Sequence, residues 1–172
     1  YFPEPDLVPI IISDEWLAAI KARQPELRTA KLIRYKKDFD IPDYDAQIIT
    51  SVKKMADIFE ATTAICKKPK KVSNWLMVET MRLMKEHEME AEDLKFSPEH
   101  LAKLIDLADA GTINSSVAKE VFEKIFLEDI DPEKYVEEHG LKTVNDEGAL
   151  RSTIEKIIAD NPQSVEDYHN GK

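Results

Sequence analysis

A chain of 172 residues is enough for one sizeable domain or two small ones, and 42% apolar with 34% charged residues is the balance of a globular chain, not a disordered one. No run approaches the roughly 18–20 apolar residues of a membrane span, nothing reads as a signal peptide, and the single cysteine, Cys66, excludes an internal disulfide framework and suits a reducing compartment. Four glycines disfavour glycine-rich phosphate loops and sheet folds with many tight turns.

The net charge of −10 is unevenly placed. Residues 1–90 carry 15 Lys/Arg and 15 Asp/Glu, while residues 91–172 carry 9 against 19. A chain this acidic does not take nucleic acid by bulk attraction. An RNA contact has to use local clusters, and the first half has two. One is Lys31, Arg34, Lys36 and Lys37; the other is Lys67, Lys68, Lys70 and Lys71. The alternative for both is a solvated helix face and a solvated loop.

In chain order, "YFPEPDLVPIII" threads Pro3, Pro5 and Pro9 through large apolar residues, a stiff strip. Ser13, followed by Asp14 and Glu15, reads as a helix start, and Trp16, Leu17 and Ile20 give a stripe. Pro25 is placed to open a second helix running to about Lys37, which "DIPDYDAQ" breaks. Ser51 is placed to cap a third helix, with Val52, Met55, Ala56 and Phe59 on one face. "CKKPKK" reads as a loop, because Pro69 disfavours helix at the residue before it. "VSNWLMVETMRLM" is apolar on nearly every side, the pattern of a helix surrounded by others, with Trp75, Leu76 and Leu83 as anchors. Glu79 shares the Trp75 face and is expected to be held by an ion pair or hydrogen bond.

"EHEMEAEDLKF" reads as an internal loop. Three helix starts then repeat one device, a capping side chain before proline: Ser97-Pro98, Asp131-Pro132 and Asn161-Pro162. The stripes between them are Leu101, Leu104, Ile105 and Ala108; Val117, Val121, Phe122, Ile125 and Phe126; and Leu150, Ile154, Ile157 and Ile158. Gly111 is suited to a left-handed helix end, and Asn114 or Ser115 to the next cap. No period-2 alternation of strand length appears. The expected fold is all-α: a multi-helix bundle with a small, incomplete C-terminal helical subdomain. A soft boundary lies in "LEDIDPEK", residues 127–134.

Chemistry is hard to find. His87, His100, His139 and His169 stand apart, without metal-ligand spacing. "DYD" at residues 43–45 lacks the glycine and distal glutamate of a calcium loop. No phosphate-loop or nucleophile-elbow motif occurs. Cys66 beside two lysines reads better as a packed thiol than as a nucleophile. The residues alone describe a helical binding module with no catalytic group, metal or cofactor of its own.

Longer motifs carry more. "YFPEPDLVP", "ISDEW…PELR", "SNWLM" and "GTINSSVAKEVFEKIF", in that order, with "GLKTVNDEGAL" and "NPQSVEDYHNGK", resemble the B-subunit family of bacterial aspartyl-tRNA(Asn)/glutamyl-tRNA(Gln) amidotransferases. The resemblance implies a longer parent protein with an N-terminal cradle that activates misacylated tRNA with ATP and magnesium. A helical domain and a YqeY-like tail follow. In the complex the A subunit releases ammonia from glutamine, while the C subunit ties it to the parent of this chain. The resemblance further implies that residues 1–12 connect from the cradle, 13–128 form the helical domain and 129–172 begin the tail, truncated before its last helices. Tyr1, Phe2, Leu7 and Ile10 to Ile12 would then pack on the cradle or fold back on the helical domain; Glu4 and Asp6 take no assigned role. On this reading the chain is a cytoplasmic, tRNA-positioning segment, inactive alone. Lys67, Lys68, Lys70, Lys71 and Lys119 are the candidate tRNA contacts, and ATP and magnesium lie elsewhere in the parent. The alternatives are a freestanding helical protein-interaction module and an enzyme with a hidden carboxylate site.

Overall fold

The computed structural model describes Asp6, residues 10–143 and residues 147–169. The expectations for Tyr1, Phe2, Pro3, Glu4, Pro5, Leu7 and Pro9, and for Gly171-Lys172, lie outside those residues. Among the described residues every regular element is a helix and there is no strand, as an all-α fold requires. Contacts divide the chain into two compact units, Tyr1–Leu94 and Lys95–Lys172.

In the first unit, Ser13 caps α1 (Asp14–Arg23) by accepting from the Trp16 N–H at 3.1 Å. No residue of α1 is buried: Trp16 is 51%, Leu17 41% and Ile20 46% exposed. The stripe exists, but it faces solvent. Helix α2 (Arg28–Phe39) begins after Leu27, so Pro25 sits in the extended link before it and not at the first helical position. The break that follows is shorter than the sequence suggests. Asp40 takes a left-handed conformation (φ 51°), Pro42 supplies the cap position, and α3 (Asp43–Ile49) starts at once, with Asp43 and Asp45 at the positive end of its dipole. Ser51 closes α3 by donating to the Ile48 carbonyl at 2.6 Å, and Val52 precedes α4 (Lys53–Cys66). Met55, Ala56 and Phe59 are buried from α4, as their spacing predicts.

Only Lys67 and Lys68 separate α4 from α5 (Pro69–Asn74). Pro69 excludes helix at Lys68 but occupies the first position of the next one, where its fixed φ is an advantage. Helix α5 runs through a π-helical turn, Trp75–Thr80, into α6 (Met81–Glu86). Val72, Leu76 and Leu83 are fully buried, Trp75 is half-buried, and Val78 is 50% exposed. The rod is therefore half-buried, not surrounded. Glu79 is buried and paired with Arg82 at 3.1 Å, the structural role expected for it. The loop after α6 holds one 3-10 turn, Ala91–Asp93, and is pinned by buried Ala91 and Leu94. At the centre of this unit Tyr35, Phe39 and Phe59 pack with ring centroids 4.7–5.7 Å apart.

In the second unit α7 (Pro98–Asp109), α8 (Ser115–Glu128) and α9 (Pro132–Glu138) pack on one another around Phe96, Phe122 and Phe126. Gly111 is left-handed (φ 70°), and Asn114, not Ser115, caps α8 by accepting from the Ser116 and Val117 N–H groups at 3.0 Å. Residues 127–134 lie inside this unit: Pro132 and Val136 are buried against α7 and α8, and the Thr143 N–H donates to the Thr112 carbonyl at 2.8 Å. Beyond them α10 (Glu147–Asp160) and α11 (Pro162–His169) contact each other. Ile154, Ile157 and Ile158 are all exposed, and the Asn161 side chain donates to the Ile157 carbonyl at 2.9 Å, closing α10.

Candidate nucleic-acid interface

The lysine run sits where α4 turns into α5. Lys67 ends α4 in the left-handed conformation (φ 58°), its N–H donating to the Thr63 carbonyl at 2.9 Å. Lys68 precedes Pro69, and its carbonyl accepts from the Lys71 and Val72 N–H groups at 3.0 and 3.1 Å. This tight corner brings Lys67, Lys68, Lys70 and Lys71 onto one short segment. Lys70 is paired with Asp40, and Lys68 and Lys71 are also engaged in interactions. Lys119 belongs to the other unit, exposed on α8.

Three of the four cations of the earlier cluster on α2, Lys31, Arg34 and Lys36, pair with acids. Three donors converge on one oxygen, Glu60 Oε1: Lys31 Nζ at 2.7 Å, Arg34 Nη2 at 2.6 Å and Tyr35 Oη at 2.8 Å. Arg34 also forks onto Glu26, at 2.5–3.1 Å, and Lys36 pairs with Asp43 at 2.6 Å. Burial opposes ionisation of Glu60, but the hydrogen bonds from Lys31, Tyr35 and Arg34 outweigh it and hold the carboxyl below its ordinary range. Burial, and then the bond to Glu60, pushes the Tyr35 phenol well above its ordinary value. Lys31 and Arg34 thus belong to a partly buried ion network that ties α2 to α4, while Lys36 and Lys37 keep the solvated face of the alternative.

Beside that network the C-terminal ends of α2 and α4, with Pro69, enclose an open groove of about 520 Å3. Phe39, Thr63, Ala64 and Pro69 supply apolar surface; Arg34, Asp38, Glu60 and Lys67 supply two charges of each sign. The Arg34 guanidinium lies 5.7 Å from the Phe39 ring centroid. Among the described residues the buried Thr63 hydroxyl has no hydrogen-bond partner, and neither has that of Thr62. Sequence reasoning missed the groove because its wall joins residues 34–39 to residues 60–69, and neither segment signals the other.

In the second unit Asp129, left-handed at the end of α8, gathers three partners on Oδ1: the Ser97 N–H at 2.8 Å, the Ser97 hydroxyl at 3.0 Å and His100 Nδ1 at 2.8 Å. Serine, histidine and aspartate meet, but the hydroxyl donates to the carboxylate and not to the imidazole. Nothing activates it as a nucleophile. The cluster latches the start of α7 to the end of α8. Asp131 adds a second tie, accepting from Lys103 at 2.6 Å while capping α9. Among the described residues no three His, Cys, Asp or Glu side chains are grouped to hold a metal ion. None of the described helices is long and apolar enough to cross a membrane.

Comparison with known proteins places this architecture. A family model described as the GatB domain matches residues 57–172. The chain belongs to the GatB domain family. Over all 172 residues it is 73% identical to the B subunit of the aspartyl/glutamyl-tRNA(Asn/Gln) amidotransferase of Agathobacter rectalis, 64% to its counterpart in Lachnoclostridium phytofermentans and 51% to that in Thermoanaerobacter sp.. It spans 36% of the length of each of these relatives. The GatB-domain match takes in the whole lysine run, Glu60, Thr63, Ala64 and the second unit. Arg34, Asp38 and Phe39, the α2 wall of the groove, precede it.

Proposed function

We propose that this chain is the tRNA-holding part of an amidotransferase B subunit. The parent complex converts misacylated Asp-tRNA(Asn) or Glu-tRNA(Gln) to the correctly amidated forms. The observation that carries the reading is the 73% identity across the entire chain to a protein of that name. The partners are tRNA and, through the intact parent, the A and C subunits; the complex works in the cytoplasm. ATP and magnesium act in another part of the parent, and this chain alone does not hydrolyse ATP. The lysine corner at 67–71, with Lys119 on α8, supplies the phosphate contacts.

The test is an electrophoretic shift of the chain with tRNA(Asn) and tRNA(Gln) against other tRNAs. Binding is expected to be weak and to fall steeply between low and physiological salt, because the net charge is unfavourable and a few lysines must offset it. Charge reversal at Lys68, Lys70 and Lys71 should weaken it more than reversal at Lys156 on α10. Equal effects of the two changes, or binding indifferent to salt, would remove the lysine corner from the interface.

A further inference from the structure

The groove at the ends of α2 and α4 has a chemistry that the lysine run alone does not explain. Resting on the tRNA-holding reading above, we propose that it receives one unpaired nucleobase of the bound RNA, stacked on Phe39 and the Arg34 guanidinium, with the adjoining phosphate held at the rim by Lys67. Its volume of about 520 Å3 is that of a small-ligand site, which typically runs roughly 300–1,000 Å3. Single-stranded RNA is read by splaying bases out and stacking them on aromatic rings and guanidinium planes. The Arg34 guanidinium lies over the Phe39 ring, 5.7 Å from its centroid, so the two form one layered platform at the groove wall.

Charge selects the occupant. With Arg34 and Lys67 against Asp38 and Glu60, the wall is neutral in sum, so a charged ligand gains little inside it. A phosphate is further disfavoured there by the two carboxylates and by the negative ends of α2 and α4. A nucleobase is neutral and flat, and carries donors and acceptors on its edge. It suits an apolar floor with a mixed polar rim. The phosphate then stays outside, where Lys67 opens the basic segment.

The experiment uses the whole chain with two RNAs: intact tRNA, and a short single-stranded oligoribonucleotide carrying 2-aminopurine, whose emission is quenched on stacking. Two substitutions probe the groove. Ala64→Leu adds bulk at an exposed groove position without an aromatic face, and Phe39→Leu removes the ring; if the second destabilises the aromatic cluster, the first still reads the groove. Quenching by the unsubstituted chain is expected, with both RNAs bound about five- to tenfold more weakly by Ala64→Leu. If tRNA binds and neither substitution changes its affinity, the groove assignment falls while the tRNA-holding reading stands. If tRNA does not bind at all, that reading fails and the groove assignment with it. If free 2-aminopurine riboside is quenched as strongly as the oligonucleotide at equal concentration, the groove takes a free nucleoside and the strand assignment is overturned.

Discussion

Glu60 shows how much one carboxylate oxygen can organise. Lys31, Arg34 and Tyr35 all point at Oε1, and two of the three donors come from half-buried side chains. Removing the acceptor leaves the Tyr35 hydroxyl, on a fully buried residue, short of its partner. Glu60→Ala should therefore cost about 2 kcal/mol of unfolding free energy, and Tyr35→Phe about 1 kcal/mol. Urea unfolding of both single variants and the double variant closes the cycle. The double should lose less than the sum, because the bond between the two residues can be lost only once. Strict additivity would mean that Tyr35 gains nothing from Glu60. None of this was legible in the sequence. Glu60 reads as one more charged position on an amphipathic helix, and its donors lie 25–29 residues away.

At the scale of elements, Asp129 makes a latch whose strength depends on acid. Burial raises its pKa, but the bonds from the Ser97 backbone, His100 and the Ser97 hydroxyl outweigh burial, so the folded value lies below the ordinary 3.8. A carboxyl lowered on folding contributes stability that is present above its unfolded pKa and fades as pH falls through the folded one. The α7–α8 latch should thus hold undiminished at neutral pH and weaken below about pH 4. Asp129→Asn tolerates the left-handed backbone but accepts more weakly. It should cost about 1 kcal/mol at pH 7, the exposed part of the side chain limiting the loss, and flatten this share of the acid dependence. Thermal midpoints of both proteins from pH 3 to 7 measure it; parallel curves would assign the acid loss to other groups. Most local devices, by contrast, were readable; Ser97, whose hydroxyl donates to Asp129 instead of capping α7, was not. Ser13, Asn114 and Asp131 cap where their sequence context says they should, and Gly111 takes the left-handed turn, because a cap needs only the three or four residues after it. Pro69 was readable only by half. Its veto on Lys68 is a neighbour effect, but whether a loop or a helix follows depends on Val72 and Leu76 finding a core.

Across the molecule burial is uneven. Helix α1 buries nothing, and the isoleucine face of α10 is exposed, while α2–α6 and α7–α9 each surround a core with many side chains at or near zero exposure. Amide protection should follow burial. In a verified monomer, residues 28–86 and 98–138 should exchange slowly, and α1, α10 and α11 faster by orders of magnitude; limited proteolysis should cut the latter first. Uniform protection would mean that the exposed faces are covered in solution. Helix α9 belongs to the protected set, although composition alone suggests a boundary just before it. The sequence shows that Tyr135 and Val136 are apolar but not that α7 and α8 leave a place for them, and packing partners far along the chain decide which side of a boundary a short helix joins.

The π-helical turn at Trp75–Thr80 bears on how this rod tolerates changes in length. Each residue of an α-helix turns the chain by about 100°, so losing one normally swings every downstream side chain off its partners. A π-helical turn is a helix already holding one residue more than its regular winding needs. Deleting exposed Val78 lets the turn relax to ordinary winding while Val72 and Leu83 keep their bearings on the core. A single deletion there should lower the melting temperature much less than deletion of exposed Asp57 from α4, which has no such slack. If both deletions unfold the chain alike, the extra residue is locked in place by its neighbours; if not, the turn is a spare link through which the chain can shorten by one and keep its fold.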